Sequence, residues 1–174
     1  MKLTPTTPPV PDNFPHPFPT LVGRAIFGAP IQADNFPHPL RTLVVDDSAM
    51  LMKSVCAYLN AQRLFHVVGT AMDGKEALHM AEWLEPDLVF MDLRMPFMDG
   101  LQATAILRRR APNIRIIIMT MEDSAAAEAE ARAHGAHGFI SKPRIIGDHL
   151  ITAVRRAFSM PWGQNDGRPL SKDN

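Results

Sequence analysis

From residue 42 onward, short and mostly unbroken apolar runs alternate with segments in which apolar residues recur every three or four positions. The runs Thr42-Leu43-Val44-Val45, Phe65 to Thr70, Leu88 to Met91, Ile114 to Met119 and His137 to Ile140 predict five strands. Their continuous apolarity, in place of strict alternation, predicts burial on both faces. Between them Ser48 is placed to cap a helix through about Gln62, with Met50, Leu51, Ser54, Val55 and Leu59 giving the inward spacing. Asp73-Gly74 turns into a helix through Trp83, whose stripe Ala77, Leu78, Ala81 and Leu84 faces inward, with Trp83 expected to serve packing. Pro86 blocks its continuation. Gly100 to Arg110 is expected as a third helix with Leu101, Ala105 and Leu107 apolar, and Arg108-Arg109-Arg110 suit its negative end. An alanine-rich helix from Ser124 to His134, closed by Gly135, and a last helix from Ile146 to Phe158 complete the series. Strands alternating with helices predict a parallel sheet covered on both faces.

The flanks break this rhythm. Ten of the 16 prolines fall within residues 1–39, where they remove backbone donors and favour extended chain. This defines a proline-rich, largely disordered extension (1–39), a folded unit (40–159) and a polar, flexible tail (160–174). Within the extension, Asp12-Asn13-Phe14-Pro15-His16-Pro17 recurs as Asp34-Asn35-Phe36-Pro37-His38-Pro39, and the similarity continues from Thr20-Leu21-Val22 to Thr42-Leu43-Val44. Two copies do not build a solenoid, so a local duplication is the reading, with His16 and His38 solvated.

Composition narrows the class. A chain of 174 residues, 46% hydrophobic and 21% charged, supports one domain with a two-sided core. Zero net charge supplies no global field toward nucleic acid or an anionic membrane. The single Cys56 excludes an internal disulfide and is expected to be a packing residue on a helix. No apolar stretch reaches membrane-spanning length, and early prolines interrupt any signal-peptide core, so a cytoplasmic protein is expected.

Polar groups punctuate the strand ends: Asp46 and Asp47 after the first, Asp92 after the third, Thr120 after the fourth and Lys142 after the fifth. In a parallel sheet these converge at one edge, the place where such folds bind ligands. Three clustered carboxylates repel one another and favour a divalent cation. Oxygen-only donors in a small site select magnesium, at roughly 2.0–2.1 Å from its ligands. A cation, a lysine and a hydroxyl around one carboxylate form a cradle for a phosphoryl group that Asp92 accepts as nucleophile.

On these residues, and on Met91-Asp92 with Met95-Pro96, Met98-Asp99-Gly100 and Lys142-Pro143, the segment 41–158 resembles a response-regulator receiver domain of two-component signalling, similar to the stand-alone chemotaxis type. The resemblance implies a flavodoxin-like (βα)5 doubly wound parallel sheet in the order 2-1-3-4-5. It implies that Asp92 takes a phosphoryl group from a sensor histidine kinase or a histidine phosphotransfer protein. It also implies magnesium held by Asp47, Asp92 and the backbone carbonyl of Arg94, with Asp46 acting largely through water. Lys142 and Thr120 would bond phosphoryl oxygens, and Thr120 moving inward would let Phe139 turn from exposed to buried. Phe139 has no hydroxyl, so its inward state is expected to be set by packing alone. Met121 is expected to narrow access and slow phosphorylation by small donors, and Arg94 and Glu122 to flank the mouth and tune the lifetime of the acyl phosphate.

The functional expectation is a single-domain response regulator whose phosphorylation alters the face made by helix 124–134, strand 137–140 and helix 146–158, and hence its binding to an effector protein. It would catalyse only its own phosphorylation and slow dephosphorylation. A phosphate sink or relay intermediate shares the chemistry and lacks the effector. A hydrolase of the haloacid-dehalogenase kind needs an acid two residues after its nucleophile, and Arg94 stands there. Direct nucleic-acid binding is not expected, since nothing beyond Phe158 builds a helix-turn-helix.

Overall fold

In the computed structural model, which describes residues 39–159, strands and helices alternate throughout. The strands β1 (Leu40–Val45), β2 (Phe65–Ala71), β3 (Leu88–Asp92), β4 (Arg115–Thr120) and β5 (Gly138–Ser141) form one parallel sheet in the order β2-β1-β3-β4-β5. Helices α1 (Ala49–Asn60), α2 (Gly74–Leu84), α3 (Gly100–Arg110), α4 (Ala125–Ala133) and α5 (Asp148–Ser159) connect and cover them. This is the flavodoxin-like architecture and strand order that the resemblance implied.

Successive strand residues point to opposite faces, so the sheet divides the core in two. Val44, Phe90, Ile117 and Met119 pack with Val55 and Leu59 of α1 and Leu150 and Val154 of α5. Leu43, Val89, Ile116 and Ile118 pack on the other side with Ala77 of α2, Ala103 of α3 and Ala131 of α4. Every residue of β3 and β4 is buried, which is why those runs lack polar alternation. Full burial of one such side chain is worth about 1.5–3 kcal/mol, and this reserve holds a charged site at the sheet's edge.

Several expectations need correction. On α1 the buried residues are Val55, Tyr58 and Leu59, while Met50 and Ser54 face solvent. The Tyr58 ring packs inward because its hydroxyl accepts a hydrogen bond from Gly147 N (2.8 Å). Trp83 is 57% exposed: two positions beyond the buried Ala81, it lies across the helix from the packing stripe. On α3 the buried side chains are Ala103, Thr104 and Leu107, with Ala105 only half-buried. The last helix begins at Asp148, because a single 3-10 turn (Lys142–Arg144) follows β5 and Gly147 breaks the path with φ +108°.

β1 starts at Leu40, two residues before the expected strand, with Leu40 N donating to Leu64 O (2.7 Å). The second copy of the duplicated motif therefore ends inside β1, an interior strand of the sheet. The extension before residue 39, with His16 and His38, and the segment 160–174 lie outside the described residues.

Cys56 is half-buried against the α1/α5 side of the core, and burial pushes its thiol up to about 11, in keeping with a packing role. His137, just before β5, is buried, and its Nδ1 accepts from Ile116 N (3.1 Å). Burial, then the charges of Arg108 and Arg115, pushes its pKa down to about 3, so the imidazole is neutral with its proton on Nε2. No helix among the described residues is long and apolar enough to cross a membrane.

Candidate functional site

The order reversal at β1 places β1 and β3 side by side, with the helices that follow them on opposite faces, and opens a crevice beyond their carboxyl ends. Asp46 directly follows β1 and is buried. Its Oδ1 accepts from Ser48 N (2.9 Å), which fixes the carboxylate while the Ser48 hydroxyl caps α1 at Leu51 N (3.4 Å). Asp47 is exposed beside it. Asp92, the last residue of β3, is 3% exposed.

The chain turns back tightly after Asp92. Leu93 N donates to Met119 O (2.9 Å), and Gly100 N donates to Leu93 O (3.1 Å). A Cβ at Gly100 would fall on the carbonyl oxygen of Asp92, so glycine alone permits α3 to start against the tip of β3. Asp99 caps α3 by accepting from Gln102 N (2.8 Å).

Carboxylate oxygens of Asp46, Asp47 and Asp92 lie within 4.8 Å of one another. Lys142, at the start of the 3-10 turn, bridges two of them: its Nζ is 2.9 Å from Asp46 Oδ2 and 3.0 Å from Asp92 Oδ1. At these distances one ammonium serves two buried carboxylates and its charge is shared between them. Burial pushes the Asp92 carboxyl above its usual range. Lys142 opposes this, the charge of Asp46 adds to it, and the Arg94 N–H opposes it further. Burial alone would lower the Lys142 pKa, but the two carboxylates outweigh it and hold the ammonium above its ordinary value. Two of the three carboxylates thus share one cation, and the surplus negative charge suits a further divalent ion.

Thr120 closes β4, buried, with its Oγ1 accepting from Glu122 N (3.1 Å). A cavity of about 270 Å³ brings together Asp47, Asp92, Thr120 and Lys142 with Arg94, Met121 and Glu122. Arg94 and Glu122 do not pair: the Glu122 carboxylate instead accepts from Ser124 Oγ (2.8 Å). Phe139 is half-buried and lines a second cavity of about 200 Å³ between α4, β5 and α5, together with Arg132, Arg144 and His149. Sequence reasoning overlooked the Ser48 N–H that orients Asp46 and the close approach at Gly100. Both residues were legible as a cap and a turn, but their contacts with the acidic pair and with Asp92 arise only through the packed loops.

The family model described as the response regulator receiver domain matches residues 42–155. The transcriptional regulatory protein LnrK of Bacillus subtilis is 31% identical over 116 residues, covering 67% of this chain and 52% of that protein. A protein-glutamate methylesterase/protein-glutamine glutaminase of Thermotoga maritima is 35% identical over 126 residues, covering 67% of this chain and 37% of its own length. The chain thus spans about half, or less, of the curated relatives it matches. Among solved structures, the signal receiver domain of the NarL response regulator of Mycobacterium tuberculosis superposes with a TM-score of 0.63 at 30% identity, covering 71% of this chain and all of that one (100%). The response regulator domain of Thermotoga maritima CheB does so with a TM-score of 0.63 at 32% identity and the same coverages, 71% and 100%.

Proposed function

The chain belongs to the response regulator receiver domain family, and on that premise we propose that Asp92 accepts a phosphoryl group from a phosphohistidine on a sensor kinase or a phosphotransfer protein, in a cytoplasmic setting. The observation that carries the proposal is the meeting of Asp46, Asp47, Asp92, Thr120 and Lys142 at one sheet edge from four different strand ends.

A carboxylate oxygen of Asp92 forms the new bond to phosphorus as the bond to the histidine nitrogen breaks, and the leaving imidazole takes up a proton. Lys142, which already neutralises Asp92, follows the negative charge onto a phosphoryl oxygen, and the Thr120 hydroxyl leaves its acceptor role toward Glu122 N to donate its proton to a second phosphoryl oxygen. Asp47, Asp92 and the Arg94 carbonyl are the proposed magnesium ligands, with Asp46 bonding through water. These residues would fit such an ion as an oxygen-only donor set, with carboxylate oxygens within 4.8 Å of one another. When bound, the ion neutralises charge gathering on the phosphoryl oxygens.

Withdrawal of Thr120 from the loop before α4 opens room beside Phe139, whose half-buried ring moves by packing and alters the face of α4, β5 and α5 toward an effector protein. Residues 40–159 form the switching unit in this reading, the segments 1–39 and 160–174 are appendages, and the protein acts as a single-domain regulator. In the sink reading, effector binding ignores phosphorylation.

Intact-mass measurement after incubation with acetyl phosphate tests the acceptor chemistry. One phosphoryl adduct is expected with magnesium present and none with a chelator. No adduct under either condition would redirect the reading to a phosphorylation-independent scaffold. Met121 is exposed beside the cavity, so Met121→Ala is expected to raise the acetyl phosphate rate by a few-fold, about 1 kcal/mol or less in barrier, and an unchanged rate would remove its gating role.

A further inference from the structure

Among the described residues, six large apolar side chains stand exposed: Met50, Met72, Trp83, Phe97, Met121 and Ile146. Scattered exposed apolar residues are ordinary, but these are not scattered. Five of them fall one to each βα junction: Met50 in the first turn of α1, and Met72, Phe97, Met121 and Ile146 in the connections before α2, α3, α4 and α5. In a parallel sheet all such connections emerge at the same edge, here the edge that carries Asp92. Only Trp83, near the far end of α2, lies away from it.

Phe97 stands out within this set. It is 88% exposed and holds φ +65°, a left-handed conformation that a bulky aromatic rarely adopts. It is the middle residue of a three-residue turn closed by Met98 N donating to Pro96 O (2.7 Å), a strained turn type. The backbone beyond is pinned, with Gly74 N donating to Met98 O (3.2 Å) and Asp99 capping α3. The ring is therefore held outward on a fixed backbone, at a conformational cost that no packing within the domain offsets.

We propose that Phe97 is the rigid anchor of an apolar docking surface, completed by the flexible thioethers of Met50, Met72 and Met121 and by Ile146, for the protein that delivers the phosphoryl group. The occupant is the apolar surface that flanks the phosphohistidine of that donor. This rests on the acceptor reading of Asp92. A protein donor must reach a carboxylate that is nearly buried at this edge, and in doing so it covers the surrounding connections. An effector can bind elsewhere, and a second copy seated here would block access. Methionines adapt to a partner's contours while a fixed aromatic supplies the anchor with little entropy to lose.

The test compares two donors. Histidine kinases of the same cell are autophosphorylated with ATP and screened against the wild type, and the fastest becomes the protein donor. Acetyl phosphate is the small donor. Phe97→Asn, which tolerates the positive φ, is expected to melt at or above the wild-type temperature and to take phosphate from acetyl phosphate within about twofold of the wild-type rate. Transfer from the kinase at subsaturating protein should fall by about tenfold or more, through weaker half-saturation, and Phe97→Leu should recover most of it. Kinase transfer within about twofold of wild type, or an equal loss with both donors, overturns the docking role. Wild-type uptake from acetyl phosphate but from no kinase overturns it too while leaving the acceptor chemistry standing. Failure with acetyl phosphate itself defeats the acceptor reading.

Discussion

An Asp92→Asn variant is expected to take up no phosphoryl group from any donor and to be at least as stable as the wild type at neutral pH in magnesium-free buffer. The first part follows from the nucleophile: an amide oxygen does not form the acyl phosphate, and the exposed Asp47 and the Ser48-bound Asp46 are not placed at the tip of β3. The second part follows from electrostatics. Asp46, Asp47 and Asp92 converge while the one ammonium of Lys142 bridges only Asp46 and Asp92, so removing one charge relieves the mutual repulsion. Asparagine still offers Lys142 an acceptor oxygen.

The folded-state pKa of Asp92 is raised, by burial first and by Asp46 in addition, so the unfolded chain ionises before the folded one as pH rises. Ionised Asp92 therefore subtracts stability, beginning as pH rises through the ordinary carboxylate value and in full above the folded value. The advantage of the asparagine variant should be largest at neutral pH and disappear below the ordinary carboxylate range. Denaturant midpoints measured across that range decide it. A variant clearly less stable than wild type at neutral pH would show that the Lys142 pair outweighs the burial of the charge.

Lys142→Met is expected to have the opposite effect on stability. It leaves Asp46 and Asp92 buried and facing each other without their shared cation, a loss of about 3–5 kcal/mol by analogy with broken buried ion pairs. For a folded unit of this size that corresponds to a fall in melting temperature of roughly 10 °C or more. Magnesium should restore much of it by replacing the lost charge, and acidification should do the same by protonating a carboxylate. Adding Asp92→Asn to Lys142→Met should recover most of the loss, because the two positions touch and their effects do not add. Thermal melts with and without magnesium, on both variants, check all of these. A melting temperature insensitive to magnesium would separate the acidic cluster from any cation role.

The same pairing explains why the site combines with a stable fold. Strands β3 and β4 are wholly buried, so the tips bearing Asp92 and Thr120 are fixed by apolar packing on both faces. The charges then need to be satisfied only at the edge, where Lys142 bridges Asp46 and Asp92.

Much of this was readable along the chain. Apolar runs interrupted by Asp46, Asp92, Thr120 and Lys142 locate the strand ends within a residue or so, because side-chain burial on both faces leaves a direct signature in composition. Helix starts were equally legible: Ser48, Asp73, Asp99 and Ser124 each cap through a side-chain oxygen, a local bond between residues two or three apart. Helix faces were less so. Tyr58 reads as a polar-tipped residue until Gly147, 89 positions away, supplies its partner, and Trp83 reads as packing until the sheet takes the other side of α2.

What the sequence by itself determined was therefore an inventory: five strands, the acid, hydroxyl or ammonium at the ends of four of them, and the caps that start the helices. Local periodicity and local hydrogen bonds encode these within a few residues. Only the tertiary structure decided that Lys142 lies between Asp46 and Asp92, that Gly100 admits α3 against the tip of β3, and that a strained Phe97 and four other exposed apolar side chains share the edge with Asp92. Those relations depend on strand order, register and loop path, which set distances between residues far apart in the chain and leave no periodic trace in it.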